Sequence, residues 1–129
     1  MPDPFVERSK VYEPGTKYHR SRLVNRNGQV QTQADYTGTV EVRVFDLNSD
    51  DADTAVYSNT AVTIASVITN TLQSWDADAV GWNFEHGVTS NNLVWEGGHT
   101  FRVEYVFKHT SEGNHTALFE DLVEPSIGS

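Results

Sequence analysis

The sequence predicts an all-β domain: an antiparallel β-sandwich of about seven to eight short strands around a single core. Three observations point there. The segment His99 to His109, HTFRVEYVFKH, places Phe101, Val103, Tyr105 and Phe107 on one face and Arg102, Glu104 and Lys108 on the other, with only Val106 interrupting. That is the period-2 pattern of a half-buried strand, whereas a helix would scatter the aromatics around its circumference. Further β-branched and aromatic segments follow one another between turn signals, and no stretch of useful length has apolar residues at helical spacing. A small closed barrel is the alternative architecture.

The size suits one core. A chain of 129 residues is long enough to bury about two thirds of the surface its unfolded form exposes. There are no cysteines, which removes disulfides, thiolate metal sites and cysteine nucleophiles from consideration. The opening MPDPFVERSK lacks the apolar run of a signal peptide, and no segment approaches the ~20 apolar residues of a membrane span. The expectation is synthesis in a cytoplasm without membrane association.

Taken in order, residues 1–16 hold three of the four prolines, Pro2, Pro4 and Pro14, with Phe5, Val6, Val11 and Tyr12 between them. Proline removes donors and fixes extended chain, so this segment reads as an extended N-terminal arm with apolar anchors. The sandwich follows over residues 17–125, with 126–129 as a tail. Lys17 to Val24 is the first strand of the body, and Asn25-Arg26-Asn27-Gly28 is a hairpin turn whose Asn-Gly pair suits positive φ. Gln29 to Gln33 is the polar return strand, suited to an edge. Thr39 to Phe45 alternates Val40, Val42 and Val44 against Glu41 and Arg43.

Asp46 to Asp53 is an acidic surface loop, and Ala55 to Ser58 a short strand. Ala61 to Leu72 is rich in Val, Ile and Thr and is expected to be one long strand or two broken ones, not a helix. Trp75 to Gly81 is a turn, Trp82 to His86 resumes alternation, and Leu93-Val94-Trp95 is a short apolar stretch. Glu96-Gly97-Gly98 leads into the alternating strand, and Ser111 to Asn114 turns it towards a partner in His115 to Val123, ended by Pro125.

Charge is unevenly spread. Residues 1–26 carry six basic side chains (Arg8, Lys10, Lys17, Arg20, Arg22 and Arg26) against three acidic ones, a net +3, and the other 103 residues carry a net −12. Such separation favours docking the basic end on an acidic protein surface, including another copy of this chain. Nucleic acid is not the expected partner, because the acidic remainder would repel it.

Several constellations bear on chemistry. Asp46-Leu47-Asn48-Ser49-Asp50-Asp51 begins like a calcium loop, but Asp51 stands where the sharp turn needs glycine and Tyr57 where a bidentate glutamate would be. An EF-hand is excluded, and a less regular Ca²⁺ site would draw on Asp46, Asp50, Asp51 or Asp53. His109 and His115 flank a turn that contains Glu112. A hairpin there would bring two imidazoles and a carboxylate together, a donor set suited to Zn²⁺. Trp75 and Trp95, beside polar turns, are candidate platforms for a sugar, while Trp82 alternates with Phe84 and reads as core. No nucleophile elbow or phosphate-cradling glycine loop is present, so an enzyme is not expected and no cofactor is implied.

The order of segments carries a resemblance. TLQSWDADAVGWNFEHGV, then GGHTFRVEYVFKHTSEGN, then ALFEDLVEP is similar to a small immunoglobulin-like domain of structural proteins of tailed bacteriophages. In that domain a W-x-x-D, a G-W/Y-N-F and a G-G-H-T-F/Y-R-V-E-Y segment follow one another. SRLVNRNGQVQTQADYTGTVEVRVFDL resembles the opening of such domains, a hairpin around N-x-x-G before a strand ending in F-D. The likeness spans roughly residues 18–124, and its motifs are structural rather than catalytic. It implies an immunoglobulin-like sandwich and a virion component. The leading expectation is a capsid decoration protein that docks through Phe5, Lys10, Tyr12, Lys17, Arg20 and Arg22 on the major capsid protein or neighbouring virion proteins, in high copy or as a homo-oligomer. A tail, neck or baseplate adaptor and a glycan-binding adhesion module are the alternatives.

Overall fold

The computed structural model describes residues 6–12, 16–89 and 97–124, with side chains from Lys17 to Val88 and from Gly97 to Val123. Among them are eight strands: β1 (Val6–Tyr12), β2 (Thr16–Ser21), β3 (Tyr36–Asp46), β4 (Tyr57–Thr63), β5 (Ile68–Gln73), β6 (Trp82–Thr89), β7 (Thr100–His109) and β8 (Gly113–Glu124). They form two sheets, ordered β1-β8-β7-β3-β4 and β2-β6-β5. Every pairing is antiparallel except that of β1, which runs parallel to β8 from Val6 beside Leu118 to Tyr12 beside Glu124. The proline-flanked segment is therefore an edge strand, the position where a strand tolerates missing donors.

Alternation decides which side chains meet. On β7, Phe101, Val103, Tyr105 and Phe107 are buried beside Val40, Val42 and Val44 of β3 and Ala117, Phe119 and Val123 of β8, on the same inner face and in one continuous core. The second sheet contributes Ile68, Phe84 and Val88. Phe84 stands edge-on to Tyr105 at 4.8 Å and to Phe107 at 5.0 Å between ring centroids, so one ring of the second sheet packs on two of the first. Burying a side chain of this size stabilises the fold by about 1.5–3 kcal/mol. The result is a β-sandwich-like fold with almost no helix.

Three segments depart from the sequence expectation. Ala61 to Leu72 is divided between two strands, β4 and β5, as one of the two expectations had it, but the break is a single helical turn, α1 (Ile64–Val67). The turn carries the chain from one sheet to the other and buries Val67 at the crossing, a tertiary demand that overrides the β preference of the residues. Gln29 to Gln33 is not a return strand. It forms one bridge, Val30 to Val24, followed by a 3₁₀ turn at Gln33–Asp35 in which Asp35 Oδ2 accepts the Thr32 N–H at 2.8 Å. The predicted turn before it does form: the Gly28 N–H reaches the Asn25 carbonyl at 3.0 Å, with Gly28 at φ +80°. Lastly, the acidic loop does not begin at the surface, because Asp46 is the buried last residue of β3, opposite Phe101. The stretch Leu93 to Trp95 lies outside the described residues.

Gly81, entering β6, is required by its surroundings. Its φ is +113°, and a Cβ there would stand 2.5 Å from the Gln73 carbonyl oxygen. Gly81→Ala is expected to lower stability by at least about 2 kcal/mol in urea unfolding. Gly98→Ala, at φ +84° but facing open space, should cost only about 1 kcal/mol. Equal losses at the two sites would contradict this reading.

Candidate functional site

Strand parity carries polar side chains into the core at two places. The first is a chain through the middle of the sandwich. His19 of β2 points inward between outward Tyr18 and Arg20, His86 of β6 follows Phe84 on the inner face, and Asp121 of β8 lies between Phe119 and Val123. His19 Nε2 lies 2.6 Å from Asp121 Oδ2, and His19 Nδ1 lies 2.9 Å from the Tyr105 hydroxyl. The same hydroxyl is 3.0 Å from His86 Nδ1. One hydroxyl proton can serve only one of these nitrogens, so the Tyr105 oxygen accepts from the other, and one of the two Nδ1 atoms carries hydrogen.

Burial first, and then the Asp121 charge and Tyr57, push the Tyr105 phenol well above its ordinary value, so it keeps its proton. Burial and repulsion from His19 lower His86 to about 4, which leaves it neutral near pH 7. His19, Tyr105 and Asp121 are fully buried, and only His86 is partly exposed. The chain links four strands across both sheets, and its chemistry is that of a cross-link.

The second place is the mouth of the β7–β8 hairpin. His109 pairs with Gly113 and Phe107 with His115, so both histidines lie diagonally on the inner face. Their rings stand 4.6 Å apart, tilted by 30°. His115 Nε2 is 2.9 Å from Glu112 Oε1, and its Nδ1 is 3.0 Å from the Tyr36 hydroxyl. His109 Nδ1 accepts the backbone N–H of Ser111 at 3.1 Å and of Glu112 at 3.0 Å, while Nε2 meets Gln31 Oε1 at 2.6 Å. Burial alone would raise the Glu112 carboxyl, but the hydrogen bonds from His115 and the Arg26 N–H, with the nearby His109, hold it below the ordinary value. Burial, then Asp35 and Glu112, raise the Tyr36 phenol. Among the described residues, this is where three histidine or carboxylate side chains gather closely enough to hold a metal ion.

The other sequence candidates are dispersed. Asp46 is taken up by His99, whose Nδ1 is 2.8 Å from Oδ2, and by the Asn48 N–H at 3.0 Å. Asp51 accepts the Thr54 hydroxyl at 2.8 Å, and Asp50 and Asp53 are exposed, so the four aspartates do not converge. Trp75 is half-buried and donates its indole N–H to Asp78 Oδ1 at 2.8 Å. Asp78 also accepts the N–H groups of Val80 and Gly81 and the Arg22 guanidinium, and these donors, Trp75 foremost, hold it well below the carboxylate range. Arg20 pairs with Glu85 at 2.6 Å and lies over the Trp82 ring.

Thus two of the basic residues expected to dock on a partner face acidic groups of their own chain. Lys17 is half-buried on β2. Lys10 and Tyr12 belong to β1, with side chains outside the description, and Phe5 and Trp95 lie outside the described residues. Sequence reasoning missed His19, His86, Tyr105, Asp121, Tyr36 and Gln31 as interacting groups. The available signal was parity, since Asp121 shares the phase of Phe119 and Val123.

Comparison with protein-family models, with curated proteins and with solved structures gives no match for this chain. Among the described residues, no helix is long and apolar enough to cross a membrane.

Removing one partner of the central chain should be costly. Asp121→Ala is expected to lower stability by about 3–5 kcal/mol, and Tyr105→Phe by about 1–3 kcal/mol, both read from urea unfolding; losses under 0.5 kcal/mol, roughly those of a surface change, would contradict the cross-link. His86 adds a pH dependence of known sign. Its proton affinity is lower in the folded than in the unfolded chain, so its contribution is present above the unfolded pKa of roughly 6.5 and is lost as pH falls toward about 4. His86→Gln should flatten the urea midpoint across that window relative to wild type.

Proposed function

We propose that this chain is a non-enzymatic structural protein of a tailed-phage virion, an immunoglobulin-like domain of the capsid-decoration kind. The observation that carries the reading is strand order. The second, fifth and sixth strands form one sheet, while the third, fourth, seventh and eighth form the other with the first strand alongside. A seven-stranded immunoglobulin-type sandwich places its second, fourth and fifth strands in one sheet and its third, sixth and seventh in the other; the same division holds here with one strand added beside the third, while the first strand lies beside the eighth instead of beside the second. The phage association rests on the resemblance in the sequence.

The residues that carry that resemblance have structural work. Trp75 and Asp78 of the W-x-x-D segment organise one turn. Asn83 of G-W-N-F accepts the Leu23 N–H at 2.6 Å and donates to the Leu23 and Gln31 carbonyls, while Phe84 fills the core. Asp46, ending F-D, meets His99 of G-G-H-T. A motif consumed in holding a fold together suits a scaffold whose function lies on its outer surface.

Docking is assigned to Phe5, Lys10, Tyr12, Lys17, Arg20 and Arg22, with the basic end steering toward an acidic face of the major capsid protein or a neighbouring virion protein. The test is quantitative mass spectrometry of purified particles, followed by rebinding of added protein to particles lacking it. The chain should occur in high copy, in a simple ratio to the major shell protein. Lys10→Glu with Lys17→Glu, folded by circular dichroism, should lower occupancy by about tenfold or more at low salt. A handful of copies would move the protein to the tail or neck, and absence from particles or unchanged occupancy of the variant would overturn the proposal.

A further inference from the structure

We propose that the mouth of the β7–β8 hairpin is a divalent metal site of the Zn²⁺ class, with His109, Glu112 and His115 as protein ligands. One ligand atom from each of the three residues lies within 4.8 Å of the others. Metal–ligand bonds of about 2.0–2.2 Å in a tetrahedral site set ligand atoms roughly 3.3 Å apart, so closure needs shifts of about 1–2 Å. The His115–Glu112 pair, at 2.9 Å, is already at that spacing. Two imidazoles and a carboxylate without thiolate suit Zn²⁺ better than Ca²⁺, which takes oxygen ligands.

A second, independent observation is the wall behind the ligands. The buried Tyr36 ring stands edge-on to both imidazoles, at 5.4 Å from His109 and 5.6 Å from His115, and sets their separation. Its hydroxyl meets His115 Nδ1, the outer-shell contact that orients a metal-binding histidine. Without metal, His115 Nε2–H donates to Glu112 and Nδ1 accepts from Tyr36. Binding moves that hydrogen to Nδ1, where the Tyr36 oxygen accepts it, and Nε2 becomes the ligand. His109 binds through Nδ1, which carries no hydrogen because it accepts the Ser111 and Glu112 N–H groups; it exchanges those contacts for the metal, while Nε2–H stays on Gln31 Oε1 as a second outer-shell contact. The side chains of His115 and Glu112 are only 11% and 15% exposed, which shields the ligands from water.

Bound metal would tie β8 and the hairpin turn to β3 through Tyr36 and to the 25–28 turn through the Arg26 N–H on Glu112. The test uses the full chain and ZnCl₂ alone. Calorimetric titration should give one site per chain, and saturating Zn²⁺ should raise Tm by several degrees. His115→Ala and Glu112→Gln should each weaken binding at least about tenfold, and Tyr36→Phe by roughly tenfold. In case a variant fails to fold, histidine ring NMR of the wild type provides a direct readout. Zn²⁺ should shift His109 and His115 while leaving His19, His86 and His99 in place. No heat or Tm change, ring shifts at His99 instead, or wild-type affinity in folded His115→Ala would overturn the site.

Discussion

The hydroxyl of Tyr105 is the junction on which the sandwich depends. It stands between His19 of β2 and His86 of β6, with Asp121 of β8 closing the far side of His19. Without cysteines, no disulfide is available to join the sheets. An unpaired polar group at these buried positions would cost several kcal/mol, and a buried charge more, yet a fully partnered network specifies one arrangement. A one-residue slip of β2 or β8 would turn His19 or Asp121 outward and orphan the others. The network therefore sets register as well as packing, which apolar contacts alone specify less sharply.

The ends of the sandwich are held by a second set of polar contacts. Asn83 joins the Leu23 and Gln31 backbones, Asp78 gathers Trp75, Arg22 and two N–H groups, and His99 closes on Asp46. These groups make the loops well-defined connections between strands. The hairpin mouth differs, because its imidazoles and carboxylate are partly open and their donor set matches a metal's needs.

Much of this was legible in the sequence, for reasons that differ by element. β7, β3 and β8 alternate cleanly because one face is buried and the other solvated, and their extents follow. The proximity of His109 and His115 was legible because a short turn fixes hairpin register. The helical turn Ile64–Val67 was not, since it exists to cross between sheets and its residues favour strands. The central network was hidden for another reason. Composition places Asp at surfaces and His between surface and core, and only the positions of partners 86 and 102 residues away in the chain make the burial of His19 and Asp121 tolerable. The salt bridges of Arg20 and Arg22 were not legible either, because charge alone does not reveal that Glu85 and Asp78 stand beside them.

The most direct test of the Tyr105 junction is long-range ¹H–¹⁵N correlation of the histidine rings at neutral pH. The account predicts that, of the His19 and His86 Nδ1 nitrogens, one is protonated and the other a bare acceptor. It also predicts a slowly exchanging Tyr105 hydroxyl proton. Two rings that interconvert tautomers rapidly, with a hydroxyl exchanging at the rate of solvent-exposed tyrosine, would show that the network does not join the sheets.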